Sequence, residues 1–408
     1  MTPYCLCLFR RLGNLRFTLL LGTILGVTVA CAIPGRENAS FESLTKSGWQ
    51  HFYSLEYDQA LQDFEGALEG HPDDAAAVNH VLDAVLYSEL YKYNALDTRL
   101  YVKQGFVNSK QIPMDPAAKK RIRTLAERAL SLSDNRLKAN PKDVQALYDR
   151  GITEGLRSTY LVLVDHSWFS ALRSALAARH DHEQVLKLRP DWTDAKTIVG
   201  AHYFVVGSLT APMKAMAGIA GIHGDKAKGL KMLAEAGDAG GETSTDARVA
   251  LALFLRREGR NSDALEVVKT LTHEHPRNFL FALEEGNLMK ESGRPADAAN
   301  FIRELLNYCK QGKYPNAHVE MAYFSLGEAM RSQSQLEEAL KAYESAAHLS
   351  NKNPDYGQRA LLAAGEISDL LAKRQEALVE YRAAIAVDSS SEDANTARKY
   401  LGTPYTGR

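Results

Sequence analysis

The most constraining feature of this chain is a spacing. A small residue is followed by defined positions seven, five, four, three and five residues further on. In the clearest copy these are Ala252, Gly259, Ala264, Val268, Leu271 and Pro276. The same ruler laid 34 residues later gives Gly286, Gly293, Ala298, Ile302, Leu305 and Lys310. It fits again at Gly48, Leu55, Ala60, Phe64, Ala67 and Pro72, at Gly327, Ser334, Ala339, Tyr343, Ala346 and Asn351, and at Gly365, Ala372, Ala377, Tyr381, Ala384 and Ser389. Five matches in one register specify a stack of like units, each too small to bury its own apolar face alone.

Each unit reads as two helices. Beyond residue 40 apolar residues recur at three- and four-residue steps, and alternating β-branched runs are absent. The first small residue marks where helix A of a unit meets helix B at close range, since a larger side chain there would push the two apart. The alanine and the large residue four places on share one face of helix B. A proline at the end stops helix B before the next unit begins.

This pattern, with its 34-residue helix-turn-helix period, resembles the tetratricopeptide repeat over residues 41–72 and 245–389. The resemblance implies an all-α fold: an α-solenoid of stacked antiparallel helix pairs coiled as a right-handed superhelix. It also implies a concave face, lined by helix A residues, that holds extended peptides or partner helices.

The middle of the chain departs from the ruler. Residues 74–138 carry two long helical stretches separated by TRLYVKQGFVNSKQIPMD. Residues 143–190 read as a unit with lengthened helices, Gly151 taking the helix A role, Pro190 closing helix B, and Trp168 and Phe169 expected in the core at the extended turn. Residues 193–240 open as another unit with Gly200, Tyr203 and Gly207, then carry the apolar insert 208–225. Two fates are open to the insert: folding into the groove or over a neighbouring unit, or presenting an apolar surface to a membrane or ligand. The run Gly207-Ser208-Leu209, Pro212, Gly224-Asp225 and Gly229-Leu230 is also similar to a segment of eukaryotic inclusion-body-clearance tetratricopeptide proteins. The expected organisation is a leader at 1–30, a tether at 31–40, an atypical helical region at 41–240 and a regular array at 241–408.

The leader follows from charge. Residues 1–16 hold Arg10, Arg11 and Arg16 and no acid, and Phe17 to Ala30 carry no charge. Fourteen helical residues cover about 21 Å, short of a hydrocarbon core of roughly 30 Å. Val27-Thr28-Val29-Ala30-Cys31 resembles a bacterial lipobox, which implies cleavage before Cys31 and its acylation; an ordinary cleaved leader or an uncleaved anchor are the plainer alternatives. Ala32, in place of Asp, implies an outer-membrane address facing the periplasm. Removing residues 1–30 takes the net charge from −1 to −4.

Composition excludes other classes. Apolar residues at 45% and charged residues at 24% exclude a largely disordered chain, and 49 basic against 50 acidic residues exclude a general nucleic-acid binder. No phosphate-binding, nucleophile-elbow or zinc-protease motif is present, so neither catalysis nor a cofactor is expected. His180 with His182 and His273 with His275 stand two apart, pointing about 200° away from each other on a helix, so no metal site is expected. Cys309, near the end of a helix B, is expected as an inert packed thiol.

What remains is binding. Four residues after the small helix A residue three consecutive units carry a base: Arg256, Lys290 and Arg331. Aligned by stacking, they form a candidate partner-binding row with Asn287 beside it; favourable interaction with the helix dipole explains the same pattern without a partner. Asp369 ends the row. The function expected is a protein-binding scaffold tethered to the cell envelope, and the alternative is a ligand-binding or accessory component of a periplasmic solute transport system.

Overall fold

The computed structural model describes residues 40–102, 111–219, 221–349 and 353–407, with backbone alone at 212, 216, 217 and 219. The leader, the tether and Cys31 lie outside the described residues. Among the described residues every regular element is helical and no helix is long and apolar enough to cross a membrane. Residues 40–408 form one compact unit, in which the regions divided at 240/241 are continuous.

The regular units are α1 (Phe41–Tyr53) with α2 (Tyr57–Gly70), α11 (Ser244–Arg257) with α12 (Asn261–Glu274), α13 (Phe279–Glu291) with α14 (Pro295–Lys310), α15 (Val319–Arg331) with α16 (Leu336–Leu349), and α17 (Pro354–Leu370) with α18 (Arg374–Val387). Between the first and second lie α3 (Ala75–Lys92), the short α4 (Arg99–Val102), α5 (Pro116–Ala139), α6 (Val144–Leu163), α7 (Trp168–Leu188), a 3-10 turn at Thr193–Ala195, α8 (Lys196–Gly207), α9 (Ala211–Ile219) and α10 (Lys226–Asp238); α19 (Glu392–Gly402) follows the last. Apart from the short α4, which meets α11, and α9 of the insert, successive helices pack on one another along the chain, and one core cluster runs from α1 to α17.

Each ruler position has a job. A Cβ at Gly327 would stand 2.6 Å from Tyr343, one at Gly365 2.5 Å from Tyr381, and one at Gly286 2.8 Å from Ile302. The large residue of helix B lies over the bare backbone of its own helix A, which is why the two types sit sixteen apart. The alanines Ala60, Ala264, Ala298, Ala339 and Ala377 are fully buried. The second ruler position is a backbone requirement: Leu55, Gly259, Gly293, Ser334 and Ala372 all have φ between 59° and 81°.

The long middle unit forms as expected, with Gly151 of α6 against His182 of α7. Trp168 and Phe169 do not enter the core: Phe169 is 89% exposed and Trp168 38%. They open α7 just after the turn from α6, and the helices here are longer than those of the regular units. In the next unit α8 and α10 cross closely, since a Cβ on Gly229 would reach 2.6 Å from the Gly200 carbonyl oxygen and one on Gly207 2.8 Å from the Lys226 nitrogen. The insert between them leaves the stack and returns to it, its end held where the Asp225 N–H donates to the Tyr203 carbonyl at 3.0 Å. Within it α9 leaves Met213 53% exposed.

Candidate functional site

The basic row exists, and each member is engaged within the chain. Arg256 is buried and donates to Glu284 at 2.9 Å and to Glu291 of the following helix A at 2.7 Å. Lys290 lies 3.5 Å from Glu328, and Arg331 donates to Glu366 at 2.7 Å. The three sit in the last turns of α11, α13 and α15, where the dipole favours a cation. The row is therefore a set of rungs joining each unit to the next. Arg331 also meets Tyr405 of the C-terminal tail at 2.7 Å, and Asp369 accepts from Arg374 and from the Tyr405 N–H. Asn287, buried, lines an interior cavity.

The concave face beside these rungs is filled by the chain itself. The segment from Asn94 to Val102 lies across it: Arg256 donates to the Thr98 hydroxyl at 3.2 Å, Arg99 donates to Ser325 at 2.8 Å and to Tyr356, and the Tyr356 hydroxyl donates to Asp97. Asp97 and Arg99 also pair with each other at 3.0 Å, and the arginine beside it holds the Asp97 carboxyl below its usual range in spite of burial. A second set of bonds fixes the α1–α2 corner to the same array. Asn278 donates to the Tyr53 carbonyl at 2.8 Å, Asn316 to that of Leu55 at 3.3 Å, and Arg277 pairs with Glu56.

Two cavities border these contacts. One of about 310 Å³ lies between α1, the 96–98 segment and helices α11 and α13, walled by Phe52, Tyr53, Leu253, Phe281 and Asn287 among others. The second, of about 240 Å³, is walled by α1, α3, α6 and the residues leading into α11. They share Tyr87 and Asp246. Among the described residues none of 208–225 lines either, so the N-terminal helices, not the insert, close the interior. The acids here are unusual. Burial, with Asp246 and Glu242 close by, pushes Asp83 well up; burial pushes Asp246 up to about 7, opposed by Tyr53, and pushes Asp149 up to about 7, opposed by Gln145. The buried Tyr53 hydroxyl approaches Asp246 but makes no aligned hydrogen bond.

The remaining candidates separate in space. His182 is buried against the Tyr148 ring, 5.0 Å between centroids, and burial pushes it down to about 4, while His180 is exposed. His275 packs on Tyr53 and accepts or donates to Thr245 at 3.1 Å, while His273 is exposed. Burial pushes the half-buried Cys309 thiol up to about 11, which keeps it protonated at neutral pH. Sequence reasoning passed over Asp83, Asp97, Arg99, Asp149 and Asp246. For Asp83 a signal was present: it is the one acid in the run from Ala75 to Tyr87 of α3, where besides Asn79 and His80 the other side chains are apolar or aromatic.

No family model and no curated protein sequence matches the chain. Solved structures do. The Cut9–Hcn1 hetero-tetramer of the APC/C matches at a TM-score of 0.50 and 14% identity over 90% of this chain, which spans 57% of that one. Yeast Tom70 matches at a TM-score of 0.41 and 12% identity, covering 89% of this chain and 88% of that one. A tetratricopeptide repeat protein from Parabacteroides merdae matches at 0.34 and 14%, covering 79% and 98%. Ruler positions that bury in the expected pairs, helix pairs stacked in chain order and the first of these likenesses agree, and the chain has the all-α solenoid fold of tetratricopeptide-repeat proteins.

Proposed function

We propose that the protein is a non-catalytic scaffold that binds a protein partner in its groove and is tethered to the bacterial cell envelope through an acylated Cys31, facing the periplasm from the outer membrane. The observation that carries the binding reading is the filled groove. Between α11 and α17 it holds the segment 97–99 by side-chain bonds from three helices A, α11, α15 and α17, which is the chemistry a partner's peptide would use. Asp97, Thr98 and Arg99 then act as an internal occupant with which a partner competes. The tether is supported by the charge-free stretch ending at Cys31 and by the two-signal strength of a diacylated anchor.

Co-purification from detergent-solubilised envelope tests the groove. The double variant Asp97→Ala, Arg99→Ala loosens the internal occupant and should raise recovery of a specific partner; recovery indifferent to it removes the groove from the proposal. Intact-mass measurement of the membrane-extracted chain should find an acylated N-terminal Cys31, and a start elsewhere ends the tether. The reading as a ligand-binding or accessory component of periplasmic solute transport draws on one observation, the two part-open cavities that share Tyr87 and Asp246.

A further inference from the structure

We propose that the cavity between α1, α3, α6 and the start of α11 is a binding site for a small organic ammonium ion, held by Asp83, Asp149, Asp246 and His80. This stands independently of the scaffold reading. Five acids line the cavity, Asp83, Asp149, Asp194, Glu242 and Asp246, and among the described residues no lysine or arginine does.

Sorting these groups by partner shows what is missing. Asp194 accepts from the Thr243 N–H and hydroxyl, each at 3.1 Å, and Glu242 faces His80 Nε2 at 2.9 Å. Asp149 Oδ1 accepts from Gln145 at 2.8 Å, but its Oδ2 has no partner although the residue is 2% exposed. His80, 6% exposed, likewise has no partner at Nδ1. A carboxylate only accepts, so Nε2 donates to Glu242, and Nδ1 is left without a partner. Buried polar atoms without partners are costly, and the chamber that these residues line holds five acids and, among the described residues, no lysine or arginine. A ligand that supplies N–H donors and positive charge relieves both penalties at once.

The walls fit the same ligand. The rings of Trp49, Tyr87 and Tyr148 also line the cavity, and aromatic faces attract a desolvated cation. At about 240 Å³ the space admits a small molecule, with the half-exposed Glu242 at its edge. Among the described residues no three metal-ligating groups stand close enough to share one ion, so a cation with spread donors fits where a bare metal does not. The raised acids Asp83, Asp149 and Asp246 are what such a chamber looks like without its counter-ion.

Titration calorimetry of the chain from residue 32 onward with ethanolamine and 1,4-diaminobutane, at mildly alkaline pH, tests the site, with succinate as the anionic control. Saturable binding of an amine and none of succinate is expected. Asp83→Asn with Asp149→Asn should weaken amine binding at least about thirtyfold, because each removes one partner of a buried charge pair. Asn at 149 can still accept from Gln145, so the single variant Asp149→Asn carries the test should the double variant not fold. Absence of heat with both amines, equal binding of succinate, or unchanged amine affinity in a folded variant overturns the proposal.

Discussion

At the residue scale, the second ruler position shows how a backbone need appears in a sequence. Five turns between helix A and helix B use a left-handed residue, and the chain supplies glycine at only two of them. An L side chain in that conformation costs roughly 1–2 kcal/mol, part of which glycine gives back through its freer unfolded chain. Ala372 is exposed and has φ of 59°, so Ala372→Gly should raise stability by about 0.5–1 kcal/mol, seen as a higher midpoint in thermal unfolding. A lower midpoint would contradict the turn geometry. Asp149 gives a prediction of the opposite origin. Its folded carboxyl titrates near 7 against an ordinary 3.8, so between those values the folded chain holds a proton the unfolded chain has lost. Stability therefore falls as pH rises through that window and levels above it. Asp149→Asn should flatten this slope and stabilise the ligand-free protein by about 1–3 kcal/mol above neutrality, measured by urea unfolding across pH. An unchanged slope would mean that Asp149 is hydrated.

At the element scale, the pairing of a glycine with a large residue sixteen positions on sets how close the two helices of a unit lie. The alanine of helix B completes that contact, and Ala298 of α14 is fully buried in it. Ala298→Leu should cost about 1–3 kcal/mol by overpacking, whereas Asn300→Leu, on the exposed face of the same helix, should stay within about 0.5 kcal/mol. Equal effects of the two, by chemical denaturation, would show that the register assigned to helix B is wrong. Between units the rungs Arg256–Glu291, Lys290–Glu328 and Arg331–Glu366 join successive helices A. Of these the first is buried and so is costly to break from one side.

At the scale of the whole molecule, the solenoid curls until its first helices contact its later ones. Asn278, Asn316, Arg99 and Tyr356 make bonds spanning more than 220 residues of sequence, and they tie α1 to α4 into the array that runs to α17. A stack joined only to its neighbours unfolds piecemeal, and these closures make its two ends cooperate. Arg99→Ala leaves Asp97, whose side chain is 3% exposed, without its cation, and should cost about 3–5 kcal/mol. Removing both charges together should cost less than the single change, since no buried charge is then left unpaired. A double variant less stable than Arg99→Ala, by the same unfolding measurement, would show that the pair does not act as a unit.

The sequence by itself determined the helical period, the register of five units, the small residue under each large one and the basic row, because each is set by contacts within a repeat and repeats in the text. It also marked Gly151 and the glycines of the α8–α10 crossing. Which surface the row meets was decided by tertiary structure: the acids opposite Arg256, Lys290 and Arg331 lie 35 to 38 residues away, one unit on. The same holds for Phe169, whose apolar side chain suggested a core position and which stands exposed at the start of α7. The groove's occupant and the acidic cavity were least legible. Asp83, Asp149 and Asp246 come from three helices far apart in sequence, and only the closing of the superhelix, driven by contacts with no local period, brings their carboxyls into one unlit chamber without a cation.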